Sequence, residues 1–237
     1  MGKEVRNLSL FALGDTHLSF DTNKPMDIFH GWNDYEKRLE KNWRAIITDD
    51  DTVVLAGDIS WAMKLDEAVN DFKFLHSLPG KKIIMKGNHD YWWQTKKKLD
   101  EFIALHEFND IQIMFNNAFK VGDFTVCGSR GWFYDAETDL DMKVLKREAG
   151  RLKLSIDCAK QLGGEPIVFL HYPPVTQTQV CDEIMDVLIE QGIKRCFYGH
   201  LHGASTVNSF NGNRDGVEFR LISADYLGFC PKLIEKF

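Results

Sequence analysis

An α/β architecture, with two β-sheets packed together and helices outside, is what this sequence predicts. Three observations carry it. Short apolar runs alternate with amphipathic helical stretches over residues 8–105, a group of short strands with a hairpin turn follows over 111–128, and the alternation returns between 138 and 199.

The elements follow in order. A strand at 8–14 leads into a polar loop, 18–33, containing Lys24-Pro25 and Gly31. A helix over 34–48 sets Leu39, Trp43, Ile46 and Ile47 at helical spacing. After strand 52–57, a helix over 62–78 gathers Leu65, Ala68, Val69 and Phe72 on one face and ends at Pro79-Gly80. Strand 81–86 and a helix over 91–105 complete this part. Strands alternating with helices imply right-handed crossovers and a largely parallel first sheet. In the middle, 111–114, 118–121 and 124–128 are short strands, with a turn at Val121-Gly122-Asp123-Phe124. A helix over 138–162 spaces Leu145, Ala149, Leu152, Ile156 and Ala159 by four, three, four and three. Strand 166–171, helix 180–191, strand 194–199 and a strand over 217–222 follow, and the tail beyond reads as irregular. No repeat, low-complexity stretch or linker divides the chain, so a single domain over 1–237 is expected.

Composition narrows the class. The 237 residues are 44% hydrophobic but contain no apolar run near the roughly 18 residues that a membrane span requires. Residues 1–6 lack the apolar stretch of a signal peptide, and Arg6 occupies the position where myristoylation after Gly2 wants Ser or Thr. Five scattered cysteines without a CxxC read as reduced core thiols, so a cytoplasmic location is expected. A net charge of −6 argues against a general nucleic-acid binder. Two divalent cations would bring it to roughly −2, so part of the acidity reads as ligand charge.

The chemistry lies where strands stop. Each of five apolar runs breaks into a polar motif: Gly14-Asp15-Thr16-His17, Gly57-Asp58, Gly87-Asn88-His89-Asp90, Leu170-His171 and Gly199-His200-Leu201-His202. In open α/β sheets, ligands gather at the carboxyl ends of strands. Asp15 and His17 are two apart, as are His200 and His202. In extended backbone such pairs point the same way, so each pair is expected to hold one cation. Asp58 has two oxygens with which to bridge two ions, and Asn88, His171 and His200 would complete a second shell. Oxygen and imidazole ligands without thiolate suit Mn²⁺ foremost, with Fe or Zn²⁺ as alternatives. Two such ions clamp a phosphoryl group and lower the pKa of a bound water to about 7.

In this order the motifs resemble the calcineurin-like metallophosphoesterase superfamily, and they span Asp15 to His202. The segments 57–63 and 87–93 look like a bacterial branch of it. The resemblance implies a four-layer αββα sandwich and a binuclear metal-dependent phosphoester hydrolase. One ion would take Asp15, His17, Asp58 and His202, and the other Asp58, Asn88, His171 and His200. His89 would contact the substrate and protonate the leaving group, with Asp90 beside it in the catalytic motif and Asn88 also touching substrate. Serine/threonine protein phosphatases of the superfamily place a second Asp where Trp61 stands, and a Glu where Asp90 stands. That Asp orients the catalytic His, so the group that orients His89 is open. A small phosphodiester or nucleotide is therefore expected as substrate rather than a phosphoprotein, and no protein partner is implied. A nuclease, or a non-catalytic protein-binding scaffold on the same fold, is the alternative.

Other residues admit two readings. Trp61, Trp92, Trp93 and Trp132 either line a cleft where a base stacks or pack in the interior. Arg130 and Lys86 either bind phosphate oxygens or merely end strands. His30, His76 and His106 lie outside any motif and read as ordinary. Asp49-Asp50-Asp51 precedes its strand, at the wrong end for the site, and reads as a solvated turn.

Overall fold

The computed structural model describes residues 8–132 and 138–237, with Asp139 described by its backbone alone. The reading of residues 1–6 therefore lies outside the described residues. Eleven strands form two sheets among the described residues. In the first, β1 (Ser9–Leu13), β2 (Thr52–Leu55), β3 (Lys81–Ile84) and β4 (Ile111–Ile113) run parallel. The second contains β5 (Ala118–Val121), β6 (Phe124–Ser129), β7 (Glu165–Leu170), β8 (Arg195–Tyr198), β9 (Gly212–Arg214) and β10 (Val217–Leu221). Its order is β5-β6-β7-β8-β10-β9, parallel from β6 to β10 and antiparallel at both edges.

Two strands correct the sequence reading. The tail is not irregular: β11 (Lys232–Lys236) returns to pair antiparallel with β1. Its adjacent Leu233 and Ile234 hide the period-two signal, because only Ile234 packs inward while Leu233 is half exposed. β9 was missed as well, being a three-residue edge strand without an apolar side chain.

Strand alternation explains the layers. Leu10 and Ala12 of β1 face the second sheet together with Val54, Ile83, Ile167, Phe169 and Phe197. Phe11 and Leu13 face the other way, with Val53, Leu55 and Ile84. There they meet α1 (Tyr35–Ile46), α2 (Val69–Ser77) and α3 (Lys96–Leu105) through Leu39, Trp43, Phe72, Leu75, Leu99 and Phe102. On the far face of the second sheet, Cys127, Val168, Leu170, Cys196 and Tyr198 pack against α4 (Asp139–Leu162) and α5 (Asp182–Glu190). Strands with apolar residues on both faces suit burial on both sides. The result is the expected helix–sheet–sheet–helix sandwich.

Helix starts fall later than periodicity predicted, for local reasons. α3 begins at Lys96, not 91, because the Thr95 side chain caps it by accepting the Lys98 N–H, while the Trp92 indole N–H turns inward to Asp90 at 3.1 Å. Before α2, the Glu67 carboxylate accepts from the N–H groups of Met63 and Lys64 at 3.0 and 3.2 Å and holds that stretch out of the helix. Asp51 is not solvated. It is buried and accepts from Ser9 N and Thr48 N, both at 2.8 Å, locking the start of β2 to the start of β1.

The carboxyl ends of the parallel strands in both sheets meet at one edge. There Gly14 N donates to Ile222 O at 2.7 Å and Ala224 N donates to Gly14 O at 3.0 Å, stitching the end of β1 to the end of β10. Two sheets joined at that edge present their terminal loops to a common space.

Candidate metal centre

The loops after β1, β2, β3, β7 and β8 carry the five motifs, and they converge. Asp15, His17, Asp58 and His202 can bring ligand atoms within 4.8 Å of one another, and so can Asp58, His171 and His200. Asp58 alone belongs to both groups. Asn88 joins the second, its Oδ1 lying 2.6 Å from His171 Nε2 and 2.9 Å from His200 Nδ1. Strand pleating does not achieve this. Asp15, His17, Asp58 and His200 all have positive φ, at 61°, 46°, 51° and 74°. Non-glycine residues occupy that region at a cost that the surrounding structure must offset, and such residues concentrate at functional sites. The turn at His200 sends His200 and His202 to different groups, as the resemblance implied, where extended backbone would have left them on one side.

Close approach explains two of the glycines. A Cβ on Gly87 would lie 2.1 Å from Asp58 Oδ1, and one on Gly199 would lie 2.5 Å from Asp15 Oδ2. Both positions must stay bare for the carboxylates to fit against the neighbouring loops.

The orientation of each side chain is set from behind. Asp58 Oδ1 accepts the His89 N–H at 2.7 Å, which leaves Oδ2 as the oxygen free to face the two donor groups. The His171 ring nitrogen Nδ1 lies 3.1 Å from Ala56 O, which leaves Nε2 toward Asn88. His202 Nδ1 lies 3.2 Å from Asp225 Oδ1, whose other oxygen accepts the Gly203 N–H at 2.7 Å. Carboxylate or carbonyl partners behind imidazoles are the usual way to fix the tautomer of a metal-ligating His. Asp225 was not read from the sequence, since it sits in no motif.

Burial and charge set the protonation of the metal-free cluster. Burial pushes His17 well down, and His171 down, toward the neutral form and takes His200 to about 3. It also opposes charge on His202, but Asp15 and Asp225 outweigh it and raise that imidazole to about 10. Burial, with Asp15 nearby, pushes Asp58 up to about 8. Asp15 is held below the usual carboxylate range: burial works against its charge, and His202 and the other imidazoles overcome that.

A test of fit for cations comes from Asp58 Oδ2. It is buried and has no hydrogen-bond partner among the described residues, although it lies 3.7 Å from His17 Nε2 and 3.5 Å from His171 Nε2. An unpaired buried carboxylate oxygen is costly. Here it points between the two donor groups, which is where cations would satisfy it.

The other expected residues separate. His89 faces the first group, its ring 5.8 Å from that of His17. Its Nδ1 lies 3.2 Å from the Tyr91 hydroxyl, which is within reach to orient the ring. Asp90 does not face the cleft at all. It is fully buried and accepts five N–H donors, from Asp58, Ile59, Ser60, Gly87 and the Trp92 indole. The expectation of a catalytic Asp90 is therefore corrected to one of a frame carboxylate. Arg130 and Lys86 line a separate cavity and not the one beside His17 and His202.

Beside the first group opens a cleft of about 730 Å³, walled by Met26, Phe29, Trp32 and Trp61 and reaching His17, His89 and His202. Trp61 stacks on His17 at 4.9 Å, so it is cleft wall. Trp92 is interior, and Trp93 is buried along the wall of the cavity that holds Lys86 and Arg130. His30, read as ordinary, also lines this cleft. His76 pairs with Asp110, and His106 packs on Phe102 and Phe108.

Compared with family models, residues 8–204 match calcineurin-like phosphoesterase. The chain belongs to that family. This calcineurin-like phosphoesterase has no significant match among curated protein sequences. Among solved structures it resembles a protein of unknown function from Aquifex aeolicus, at 16% identity, 95% of each chain and a TM-score of 0.51. It also resembles the phosphopantetheinyl hydrolase of Mycobacterium tuberculosis, at 14% identity, 96% of each chain and a TM-score of 0.54. At such identities the likeness concerns the fold. Among the described residues, no helix of this phosphoesterase is long and apolar enough to cross a membrane. Membership implies a metal-dependent hydrolase, and the clustered Asp and His residues fit divalent metal ions.

Proposed function

We propose that this calcineurin-like phosphoesterase is a binuclear enzyme hydrolysing a small phosphodiester or nucleotide. The observation that carries the binuclear reading is Asp58 Oδ2, unpaired, buried and common to both donor groups. Asp15, His17, Asp58 and His202 would hold one ion, and Asp58, Asn88, His171 and His200 the other. Mn²⁺ is the first choice for this donor set, with Fe or Zn²⁺ as alternatives. When bound, the ions would supply Lewis acidity at the phosphoryl oxygens and a water of lowered pKa.

The chain's own residues do the rest. Asp225 and Ala56 O hold His202 and His171 in the tautomers that expose Nε2. His89, half-buried at the cleft with its Nδ1 beside Tyr91, would give a proton to the leaving oxygen. Asn88 would also touch a phosphoryl oxygen, as the resemblance implies. Met26, Phe29, Trp32 and Trp61 exclude water and offer flat apolar surface to the rest of the substrate. That surface favours an aromatic or apolar ester group over a phosphoprotein. β11 pairing with β1 supports a single unit, and five free thiols support a reducing, cytoplasmic compartment.

Elemental analysis of purified, metal-loaded protein tests the reading. Wild type should bind two ions per chain, Asp58→Asn should lose affinity for both, and His202→Ala should mainly lose one. A ceiling of one tightly bound ion under every loading condition would reject the binuclear site.

A further inference from the structure

Lys86 and Arg130 line a cavity of about 470 Å³ that does not include His17, His89 or His202. Arg151 and Glu148 complete its charged lining, while Trp93 and Phe115 give it an apolar wall. That volume lies within the range of small-molecule sites. The charge count is lopsided: three cations face one carboxylate, and Glu148 is already engaged by Arg151 at 2.9 Å. Among the described residues, Lys86 has no hydrogen-bond or ion-pair partner. Among the described residues, the Arg130 guanidinium lies over ring faces, those of Trp132 at 5.1 Å and Tyr172 at 6.0 Å, and has no hydrogen-bond or ion-pair partner. In a chain of net charge −6, two half-buried cations left unpaired among the described residues in one cavity are out of balance with their surroundings.

The cavity adjoins the second donor group. Asn88 follows Lys86 by two residues, and the His171 N–H donates to the Arg130 carbonyl at 3.2 Å. The aromatic cleft lies against the first group. The candidate centre is thus flanked by an apolar cleft on one side and a cationic cavity on the other.

We infer that the Lys86–Arg130–Arg151 cavity is a second anion site, taking a phosphate-sized dianion distinct from the phosphoryl group at the metal centre. Lys86 and Arg130 supply charge and N–H donors, and Arg151 adds long-range attraction while holding Glu148. The dianion comes either from a second phosphate carried by the substrate or from free phosphate acting as an effector. Its place beside catalysis rests on the proposed metal centre, but its existence does not.

The test separates the two. Inorganic phosphate is titrated calorimetrically into full-length protein freed of metal and chelator. Wild type should bind, Lys86→Gln and Arg130→Gln should each weaken binding about tenfold or more, and His202→Ala should leave it unchanged. Absence of binding in wild type, or loss in His202→Ala with none in Lys86→Gln, would overturn the site whether or not the enzyme hydrolyses anything. Lys86 has no hydrogen-bond or ion-pair partner to lose among the described residues, so Lys86→Gln should melt like wild type, which makes its binding result interpretable. The metal-loaded enzyme then identifies the source. Thymidine 5′-(p-nitrophenyl phosphate) is compared with and without a 3′-phosphate. A gain of at least tenfold in kcat/KM from the 3′-phosphate, erased in Lys86→Gln, assigns the site to substrate. A change in kcat on adding free phosphate, also erased in Lys86→Gln, assigns it to an effector. If phosphate binds but neither change is seen, or either survives in Lys86→Gln, its role beside catalysis is rejected.

Discussion

Asp90 Oδ2 accepts the backbone N–H of Asp58 at 2.9 Å and that of Gly87 at 2.7 Å, so one buried carboxylate ties the loop after β2 to the loop after β3. The two loops supply Asp58 and Asn88, the shared and second-group donors. Asp90→Ala should leave five N–H groups without their acceptor and destabilise the fold by about 3 kcal/mol or more, since each unsatisfied buried group costs about 1–3 kcal/mol. Urea unfolding should show a lower midpoint, with metal content falling in parallel. A variant with an unchanged midpoint and a loss confined to kcat would place Asp90 on the substrate instead.

Asp225 acts on the site through His202. Asp225→Asn keeps the side chain's size and an acceptor for the Gly203 N–H, but weakens the carboxylate–imidazole pair. Losing such a partner costs about 10–100-fold in metal affinity. Metal-buffered titration should show one class of ion weakened by that factor, while the other class and the melting temperature stay close to wild type. Equal weakening of both classes would mean that Asp225 holds the frame and not the one imidazole.

Much of this was legible in the sequence, and the exceptions share a cause. Apolar runs ending in Gly-Asp, Gly-Asn-His-Asp and Gly-His-Leu-His located the strands and the donors together, because buried parallel strands and strand-end ligands leave strong local signals. β11 left none, since this edge strand packs only one partly buried side chain, Ile234, inward, and its partner is far away in sequence. Asp90 was placed on the wrong side of the loop because a motif shows adjacency but not direction, and only its five donors reveal which way it faces. Asp225 and Tyr91 support imidazoles across tertiary contacts that no spacing rule encodes. The split of His200 from His202 depends on a positive φ at a non-glycine residue, which composition does not announce.

Asp71 gives the fold a pH dependence separate from the donor groups. It is fully buried, accepts the Phe20 N–H at 2.9 Å and meets the Ser60 hydroxyl, joining the loops after β1 and β2. Burial pushes its carboxyl up to about 6 from an ordinary 3.8, against the pull of those two donors, with Asp21 and Glu36 adding smaller repulsion. A raised folded-state pKa means that this group's contribution is full below about pH 3.8 and is lost as pH rises through about 6. At 1.36 kcal/mol per pKa unit, the loss is about 3 kcal/mol. Asp71→Asn does not titrate. Its stability relative to wild type should therefore rise by about that amount between pH 4 and pH 7.5, the contributions of other groups cancelling in the difference. Urea unfolding of both proteins across that range measures it, and a difference independent of pH would refute it.

His89 stands at the cleft beside both donor groups yet belongs to neither, and its Nδ1 is met by Tyr91. With Nδ1 so engaged, Nε2 is the nitrogen left to serve a leaving oxygen. His89→Asn should keep both ions and the fold, since no donor of the metal groups is touched. Loss of a general acid costs about 10²–10⁴-fold in rate, or about 3–5 kcal/mol at 1.36 kcal/mol per decade. The full loss should appear only with leaving groups that need the proton. p-Nitrophenolate departs as the anion, so its esters should suffer much less than alkyl or nucleoside esters. Tyr91→Phe should show the same pattern at smaller amplitude, because it loosens the ring without removing it. The measurement is kcat/KM for both classes of ester in wild type and each variant, with metal content determined on the same samples. Equal losses for the two classes would make His89 an electrostatic clamp on the phosphoryl group, and loss of metal would make it a structural support.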